Sequence, residues 1–150
     1  MTQLKIGDIA PEISSIDQNG DEITLKQFRG IKVVLYFYPK DMTPGCTAQS
    51  CNLSDNYIEL QTKGYEVLGV SCDSVKRHMK FIEKYQLPFS LISDEDQKVV
   101  KDYGVWGLKK FMGREYMGIN RTTFIIDSDG KIEDIITKED TKNHTAQILV

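Results

Sequence analysis

Cysteine, histidine and long apolar runs are all scarce in this 150-residue chain. Its three cysteines are too few for a disulfide scaffold. The longest uninterrupted apolar run, residues 33–38, has six residues, whereas a membrane-spanning helix needs about 20. Residues 1–5 lack the apolar core of a signal peptide. These absences argue against a secreted, disulfide-stapled protein and against a membrane protein, so we expect a cytoplasmic location.

Excess charge of either sign is also missing. The chain has 19 basic and 22 acidic residues, interspersed, for a net charge of -3. Such a balance gives no basic surface for a nucleic-acid backbone or an anionic membrane. The length suits one domain with a sizeable core, so residues 1–150 are predicted to form a single domain and we expect a monomer.

The side chains that usually hold metals or cofactors do not form a known pattern. The candidate ligands are Cys46, Cys51, Cys72 and His78, but there is no C-x-x-C pair and their spacing suits no common zinc module. No glycine-rich phosphate loop is present either. We therefore expect no metal, flavin or nucleotide cofactor. Cys72 ends an apolar run and is interpreted as a core thiol.

The two histidines do not suggest catalysis. His78 follows Lys76 and Arg77, and His144 follows Asn143, so both are predicted to be solvated. Neither is near Cys46 in the sequence. A protease-like cysteine and histidine pair therefore has no support.

The apolar periodicity predicts an α/β protein with one central mixed sheet flanked by helices. Residues 33–38 are apolar at every position, as in a strand buried on both faces. A helix over 44–62 and a strand over 66–72 follow, an order that implies a parallel crossover. It also places the start of that helix at the carboxyl edge of the sheet, where open α/β sheets keep their sites.

The remaining segments are predicted as follows. Asn19-Gly20 indicates a hairpin that pairs a strand near 12–17 with one near 22–24. Beyond the crossover we expect a helix over 75–85, a strand over 89–92, a helix over 93–103, a long loop over 106–118, strands over 121–127 and 131–137, and a last helix over 142–150. The large aromatics of the long loop, Trp106 and Phe111, are not assigned to a site.

The junction between the first buried strand and its helix carries the chemistry. Thr43 is a suitable N-cap whose hydroxyl could accept from an amide, and Pro44 suits the first helical position. Cys46 then lies in the first turn, where unpaired amides and the helix dipole favour an anion. Because the thiolate is the reactive form of cysteine, an activated nucleophile is one reading. A small buried residue that packs the helix start is the other.

The spacing of Cys46 and Cys51 argues against a permanent bridge between them. Residues five apart on an intact helix have Cα atoms about 8.5 Å apart and lie on different faces. A disulfide needs roughly 4.4–6.8 Å. The two are therefore either unrelated thiols or partners in a transient bond that forms when the helix start unwinds.

These residues resemble a known family. Pro39, Thr43 and Cys46 match the P-x-x-x-T-x-x-C pattern of the peroxiredoxins, and the run from Met42 to Cys51 resembles the bacterioferritin comigratory protein group, also called peroxiredoxin Q. Further matching segments are Leu68-Gly-Val-Ser71, Leu91-Ile-Ser-Asp-Glu95, Tyr103-Gly-Val-Trp-Gly107, Phe111-Met-Gly113, Arg121-Thr-Thr-Phe-Ile-Ile-Asp127 and Asp129-Gly-Lys-Ile132. The resemblance covers nearly the whole chain.

The resemblance implies a thioredoxin-like fold of the AhpC/TSA type and an antioxidant thiol peroxidase. Cys46 would attack hydrogen peroxide or an alkyl hydroperoxide and become a sulfenic acid, and Cys51 would resolve it as a disulfide that thioredoxin reduces. The matching arginine is Arg121, which would stabilise the displacement together with the Thr43 hydroxyl. Pro39 would shield the thiolate from water.

Gly45 is a further candidate binding residue, because a position without a side chain lets backbone amides approach the substrate closely.

Two other functions fit parts of this pattern. A general disulfide oxidoreductase would want C-x-x-C, whose sulfurs meet across one helical turn, and the chain has none. A non-catalytic thioredoxin-like module that binds protein partners would consume peroxide little faster than free cysteine does. Peroxide consumption separates these alternatives.

Overall fold

The computed structural model describes residues 2–149, which form a central sheet with helices on both faces. The elements in chain order are β1 (Ser14–Ile16), β2 (Glu22–Thr24), a 3₁₀ turn (Lys26–Phe28), β3 (Lys32–Phe37), α1 (Pro44–Asp55), α2 (Tyr57–Thr62), β4 (Tyr65–Ser71), α3 (Val75–Tyr85), β5 (Ser90–Ser93), α4 (Lys98–Asp102), β6 (Trp106–Phe111), β7 (Arg114–Ile119), β8 (Thr122–Ile126), β9 (Ile132–Ile136) and α5 (His144–Ile148). No helix among them is long and apolar enough to cross a membrane.

Seven strands form one mixed sheet in the order β2-β1-β5-β4-β3-β8-β9. β3, β4 and β5 are parallel, so the predicted crossover through α1 is confirmed. β8 pairs antiparallel with β3, and β9 pairs antiparallel with β8. At the other side of the sheet, β1 pairs antiparallel with both β2 and β5. The predicted α/β class with a central mixed sheet is therefore confirmed.

Strand β3 separates two apolar cores because its side chains alternate between the faces of the sheet. Val33, Leu35 and Phe37 belong to the core shared with α4 and the N-terminal hairpin. The intervening residues, Val34 and Tyr36, belong to the core shared with α1 and α3. Burial on both faces explains why the segment is apolar at every position.

The antiparallel pairing of β3 with β8 places the end of one strand beside the beginning of the other. Phe37, the last residue of β3, pairs with Thr122, the first residue of β8. Arg121 precedes Thr122 directly, and the loop from Pro39 to Thr43 follows β3. The sheet register therefore brings Arg121 to the start of α1, although 75 residues separate it from Cys46.

The prediction of a long loop over 106–118 was wrong, because β6 and β7 form a two-stranded hairpin there. Its two-residue turn is Met112-Gly113, and both residues have positive φ, 51° and 80°. Positive φ at both central residues matches the twist of a hairpin and is usually supplied by Asn-Gly or Asp-Gly. Methionine at the first position conceals this turn in the sequence.

Three helix predictions needed correction. The helix predicted over 44–62 is interrupted at Asn56, which ends α1 and precedes α2. The helix predicted from residue 93 begins only at Lys98, because the Asp94 carboxylate accepts from the first amides of α4 and holds residues 94–97 as a turn. The last helix, predicted over 142–150, spans His144–Ile148; residue 150 lies outside the described residues.

Gly69 in β4 is required by close packing, which gives a first prediction. A Cβ at this position would lie 2.7 Å from Leu91 Cδ2 and 2.9 Å from the Tyr36 ring carbon Cζ. Gly69→Ala is therefore expected to lower the free energy of unfolding by about 1–3 kcal/mol through overpacking, measured by urea denaturation. Leu91→Val removes one of the two clashing atoms and should recover part of the loss. A Gly69→Ala protein as stable as the wild type would contradict this account.

Candidate active site

Cys46 lies in the first turn of α1, as predicted. Pro44 is the first helical residue, and Thr43 occupies the N-cap position with extended dihedral angles. The first amides of a helix have no partners within it, so they and the positive end of the dipole surround the sulfur. The Cys46 side chain is only 1% exposed. The helix start thus holds a buried sulfur where negative charge is favoured.

The Thr43 hydroxyl differs from its predicted capping role. It donates to the Lys40 carbonyl oxygen at 2.9 Å and does not accept from an amide of α1. Since its one hydrogen is engaged, the oxygen can offer only lone pairs to a molecule beside Cys46. Between Lys40 and Thr43, Met42 has a φ of 64°, an uncommon value for a residue with a side chain.

Arg121 contacts Cys46 directly. Its Nη2 lies 3.1 Å from Cys46 Sγ, and its Nη1 donates to Gln49 Oε1 at 2.6 Å. A Cβ on Gly45 would lie 3.4 Å from the same Nη2, so the guanidinium packs against the backbone of the first helical turn. The guanidinium therefore bridges the sulfur and a side chain one turn further along α1.

Two residues of this site were not predicted. Gln49 is buried and three positions after Cys46, the spacing that puts two side chains on one helix face, so the helical pattern could have indicated it. Lys109 lies on the unpredicted hairpin and donates to the Ile119 carbonyl at 2.9 Å. Burial lowers the Lys109 pKa, and the positive charge of Arg121 lowers it further. The site thus contains two neighbouring cations.

Pro39 is half-buried and lines a shallow cleft beside the site. The same cleft is lined by Lys40, Cys72 and Trp106. Trp106, which was not assigned to a site from the sequence, therefore lines the cleft beside it. Phe111, at the tip of the hairpin, is exposed.

Cys51 lies on the same unbroken helix as Cys46, and all three cysteines are unpaired. An intact α1 keeps the two α1 sulfurs apart, in agreement with the spacing argument. Burial raises the pKa of the Cys51 thiol, and the Asp55 carboxylate raises it further. Burial also raises the pKa of Cys72 to about 12, with nearby aspartates adding to the effect. Both are thus protonated at neutral pH.

The prediction that His78 is solvated was wrong, because its side chain is fully buried. Its Nε2 lies 2.9 Å from the Ile92 carbonyl oxygen and its Nδ1 lies 2.6 Å from Asp41 Oδ2. Asp41 belongs to the loop between Pro39 and Thr43, and it also accepts from the Tyr38 hydroxyl. The hydrogen bond between His78 and Asp41 therefore connects helix α3 to the loop that precedes Cys46.

The same residues bring three potential metal ligands together. Oxygen and nitrogen atoms of Asp41, Asp73 and His78 lie within 4.8 Å of one another. Each already has a protein partner: Asp73 Oδ1 pairs with Arg77, and Oδ2 accepts from the Asp41 amide and the Ser71 hydroxyl. The cluster is explained as a hydrogen-bonded network beneath the loop.

The prediction that His144 is solvated was also wrong. The ring is buried at the start of α5, with Nε2 2.9 Å from the Thr123 hydroxyl and Nδ1 2.9 Å from Gln147 Oε1. Glu139 lies beside it, with Oε1 2.8 Å from the Thr123 hydroxyl and Oε2 accepting from Gln49 Nε2. No sequence pattern indicated Glu139, because the loop after β9 must fold back to bring it there.

Comparison with known proteins identifies the class of this site. The model of the AhpC/TSA family matches residues 6–135. The chain therefore belongs to the AhpC/TSA family, which includes the peroxiredoxins, and it is a thiol peroxidase.

The group within the family is also clear. The chain is 50% identical over 149 residues to peroxiredoxin Bcp of Escherichia coli K12, covering 99% of this chain and 96% of that protein. It is 42% identical to peroxiredoxin Bcp of Bacillus subtilis, covering 97% and 93%. These relatives confirm the predicted group of bacterioferritin comigratory proteins.

Solved structures agree with this assignment. Peroxiredoxin Q of Xanthomonas campestris superposes with a TM-score of 0.88 at 32% identity, covering 99% of this chain and 94% of that one. A second structure from that organism, described for alkyl peroxide reduction by a bacterioferritin comigratory protein, gives 0.88 at 31% identity, covering 99% and 95%. These neighbours confirm the predicted thioredoxin-like peroxiredoxin fold.

Proposed function

We propose that the chain acts as a single-domain, monomeric peroxidase that reduces hydrogen peroxide and alkyl hydroperoxides, with Cys46 as the nucleophile. The observation that carries this proposal is the 3.1 Å contact between Arg121 Nη2 and the buried Cys46 sulfur at the start of α1. A guanidinium and free amides at one point stabilise a thiolate and also the charge that develops on a peroxide oxygen. Alkyl hydroperoxides are included because a similar Xanthomonas protein is described for alkyl peroxide reduction.

The first step transfers one oxygen to sulfur. The Cys46 thiolate attacks the nearer peroxide oxygen, the S–O bond forms as the O–O bond breaks, and the leaving oxygen departs as hydroxide or alkoxide and takes up a proton. Sulfur is oxidised to sulfenic acid and the peroxide is reduced to water or an alcohol. Arg121 stabilises both oxygens, and Thr43 accepts the hydrogen of the bound peroxide through its free lone pairs. Pro39 excludes water from the sulfur, and Gly45 leaves room for the substrate beside the backbone.

The second step requires α1 to unwind. Cys51 attacks the sulfenic sulfur, a disulfide forms and water leaves. Unwinding residues 44–51 would break the buried hydrogen bond between Ser50 and Tyr36 at 2.9 Å, so the change is local but costly. A dithiol protein, which we propose to be thioredoxin, then reduces the bond. Three unpaired cysteines suit the reducing cytoplasm, where the enzyme would serve antioxidant defence and redox homeostasis.

Cys51→Ser tests the second step. We expect the first turnover with peroxide to be as fast as in the wild type, but the product should be a trappable sulfenic acid instead of a disulfide. Steady-state turnover with thioredoxin should fall by roughly tenfold or more, because no resolving thiol is present. The measurements are stopped-flow peroxide consumption and intact-protein mass spectrometry.

Cys72→Ser is the matched control, since it removes a half-buried thiol outside helix α1. It should form the disulfide and turn over as the wild type does. Normal turnover by Cys51→Ser with thioredoxin would exclude Cys51 as the resolving residue. Normal peroxide reduction by Cys46→Ser would exclude the mechanism altogether.

A further inference from the structure

A chain of hydrogen bonds runs from Cys46 into the protein and ends at two groups that the proposed mechanism does not use. Arg121 Nη1 donates to Gln49 Oε1, and Gln49 Nε2 donates to Glu139 Oε2. The other oxygen of Glu139 lies 2.8 Å from the Thr123 hydroxyl, which lies 2.9 Å from His144 Nε2. Glu139 and His144 are thus connected to the reacting sulfur through side chains alone.

The orientation of Gln147 fixes one hydrogen of the His144 ring. Gln147 Nε2 donates to the Lys138 carbonyl at 3.0 Å, and its Oε1 accepts from the Asp140 amide at 2.8 Å. His144 Nδ1 therefore faces an acceptor oxygen and must itself carry a hydrogen. In a neutral ring, Nε2 is then an acceptor.

Thr123 has only one hydroxyl hydrogen for its two neighbours. If the His144 ring is neutral, Thr123 donates to Nε2, and Glu139 must be protonated to donate to Thr123. If Glu139 is ionised, Thr123 donates to it, and His144 must carry a second proton. In both arrangements the three side chains share one removable proton, and its loss leaves one hydrogen bond unmade.

Burial decides where this proton resides. Burial raises the pKa of Glu139 to about 7, against the opposing effects of the Thr123 hydrogen bond, the Arg121 charge and the Gln49 hydrogen bond. Burial lowers the pKa of His144, with Arg121 adding to the effect and the Gln147 hydrogen bond and Asp140 opposing it. The arrangement with neutral Glu139 and neutral His144 is therefore favoured below pH 7. The charged groups that face Glu139 are Arg121 from the start of β8 and, through Thr123, His144 from α5.

We infer that Glu139 is a positioning residue for the Arg121–Cys46 pair. As a neutral acid it does not attract the guanidinium away from the sulfur. As a carboxylate it competes with the sulfur, through Gln49, for the positive charge of the guanidinium. This inference rests on the proposed function, because it assumes that Arg121 stabilises the reacting sulfur. A new negative charge a few side chains from the sulfur should slow its reaction with peroxide by roughly threefold to tenfold. The wild-type rate should therefore fall, relative to that of a protein that cannot ionise at residue 139, as pH rises through 7.

Glu139→Gln tests the inference because glutamine imitates the protonated acid. Its oxygen can accept from Gln49 and its amide can donate to Thr123, but it cannot ionise. We expect wild type and E139Q to react with hydrogen peroxide at similar rates near pH 5.5, and E139Q to be roughly threefold to tenfold faster near pH 8.5. The measurement is the stopped-flow rate constant of the pre-reduced protein across this range. Parallel pH profiles would overturn the inference.

Glu133→Gln is the matched control, because Glu133 is an exposed residue of β9 that pairs with Lys32. Its pH profile should follow the wild type. If it changed as E139Q does, the effect would be one of net charge and the inference would fail.

Carbon-13 NMR of glutamate carboxyl groups tests the titration of Glu139 in the unaltered chain. One glutamate should titrate near pH 7, and its signal should be missing in E139Q. A spectrum in which every glutamate titrates below about pH 5.5 would overturn the inference even if E139Q did not fold. Cys46→Ser separates the proposed function from the role of Glu139. If that variant still reduced peroxide, the proposed function would be wrong. If it were inactive while E139Q and the wild type had parallel pH profiles, only the role of Glu139 would be wrong.

Discussion

Arg121→Met is expected to slow the reaction of Cys46 with hydrogen peroxide by about 10²–10³-fold, the usual loss when one donor to a developing oxyanion is removed. Arg121 Nη2 is 3.1 Å from the sulfur, and its Nη1 is held by Gln49 at 2.6 Å. Methionine keeps much of the side-chain volume but removes both donors. The neighbouring Lys109 would still supply a positive charge near the site, but its ammonium donates to the Ile119 carbonyl and not to the sulfur.

Two further variants sharpen this prediction. Arg121→Lys keeps the charge, but a single ammonium cannot contact the sulfur and Gln49 in the geometry of a planar guanidinium, so we expect an intermediate loss. Arg114→Met is the matched control, since Arg114 is exposed on the hairpin and the same residue is introduced. Stopped-flow peroxide consumption by the reduced proteins gives all three rates. A rate for Arg121→Met within about threefold of the wild type would show that the guanidinium is not part of the reaction.

The parts of the site that local physics determines could be predicted from the sequence. Thr43 and Pro44 define the start of α1, and that start places Cys46 in the first turn. The spacing of Cys46 and Cys51 indicated two sulfurs that an intact helix keeps apart. Gln49 could have been found by the same helical spacing. These inferences need only the geometry of one helix.

The parts that depend on distant segments could not be predicted in this way. Arg121 reaches Cys46 through the register of β3 and β8, and without the family resemblance nothing in its own segment indicates that contact. His78 was misread because its sequence neighbours, Lys76 and Arg77, are exposed on the other face of α3. The buried face of that helix contains His78 and Phe81, so a polar residue occupies a core position where the hydrophobic pattern cannot identify it.

The buried pair of His78 and Asp41 gives the second large prediction, this time for stability. The Ile92 carbonyl can only accept, so His78 Nε2 carries a hydrogen. Nδ1 and Asp41 Oδ2 then share a proton across 2.6 Å, with both side chains fully buried. His78→Leu would leave Asp41 buried without this partner, and only the Tyr38 hydroxyl would remain on its carboxyl group. We expect a loss of about 3–5 kcal/mol in the free energy of unfolding, measured in urea.

A double-mutant cycle separates the interaction between His78 and Asp41 from the packing that is lost with the His78 ring. Asp41→Asn alone should also destabilise the fold. The double variant with His78→Leu should lose at least about 1 kcal/mol less than the sum of the two single losses. The reason is that the second change removes a group that the first has already left unpaired. Lys80→Leu introduces the same residue at an exposed position of α3 and should change stability by no more than about 0.5 kcal/mol. Additive losses in the cycle would show that the two side chains contribute independently. The coupling matters for the reaction as well, because Asp41 holds the loop that carries Met42 at φ of 64° and leads directly into the helix of Cys46.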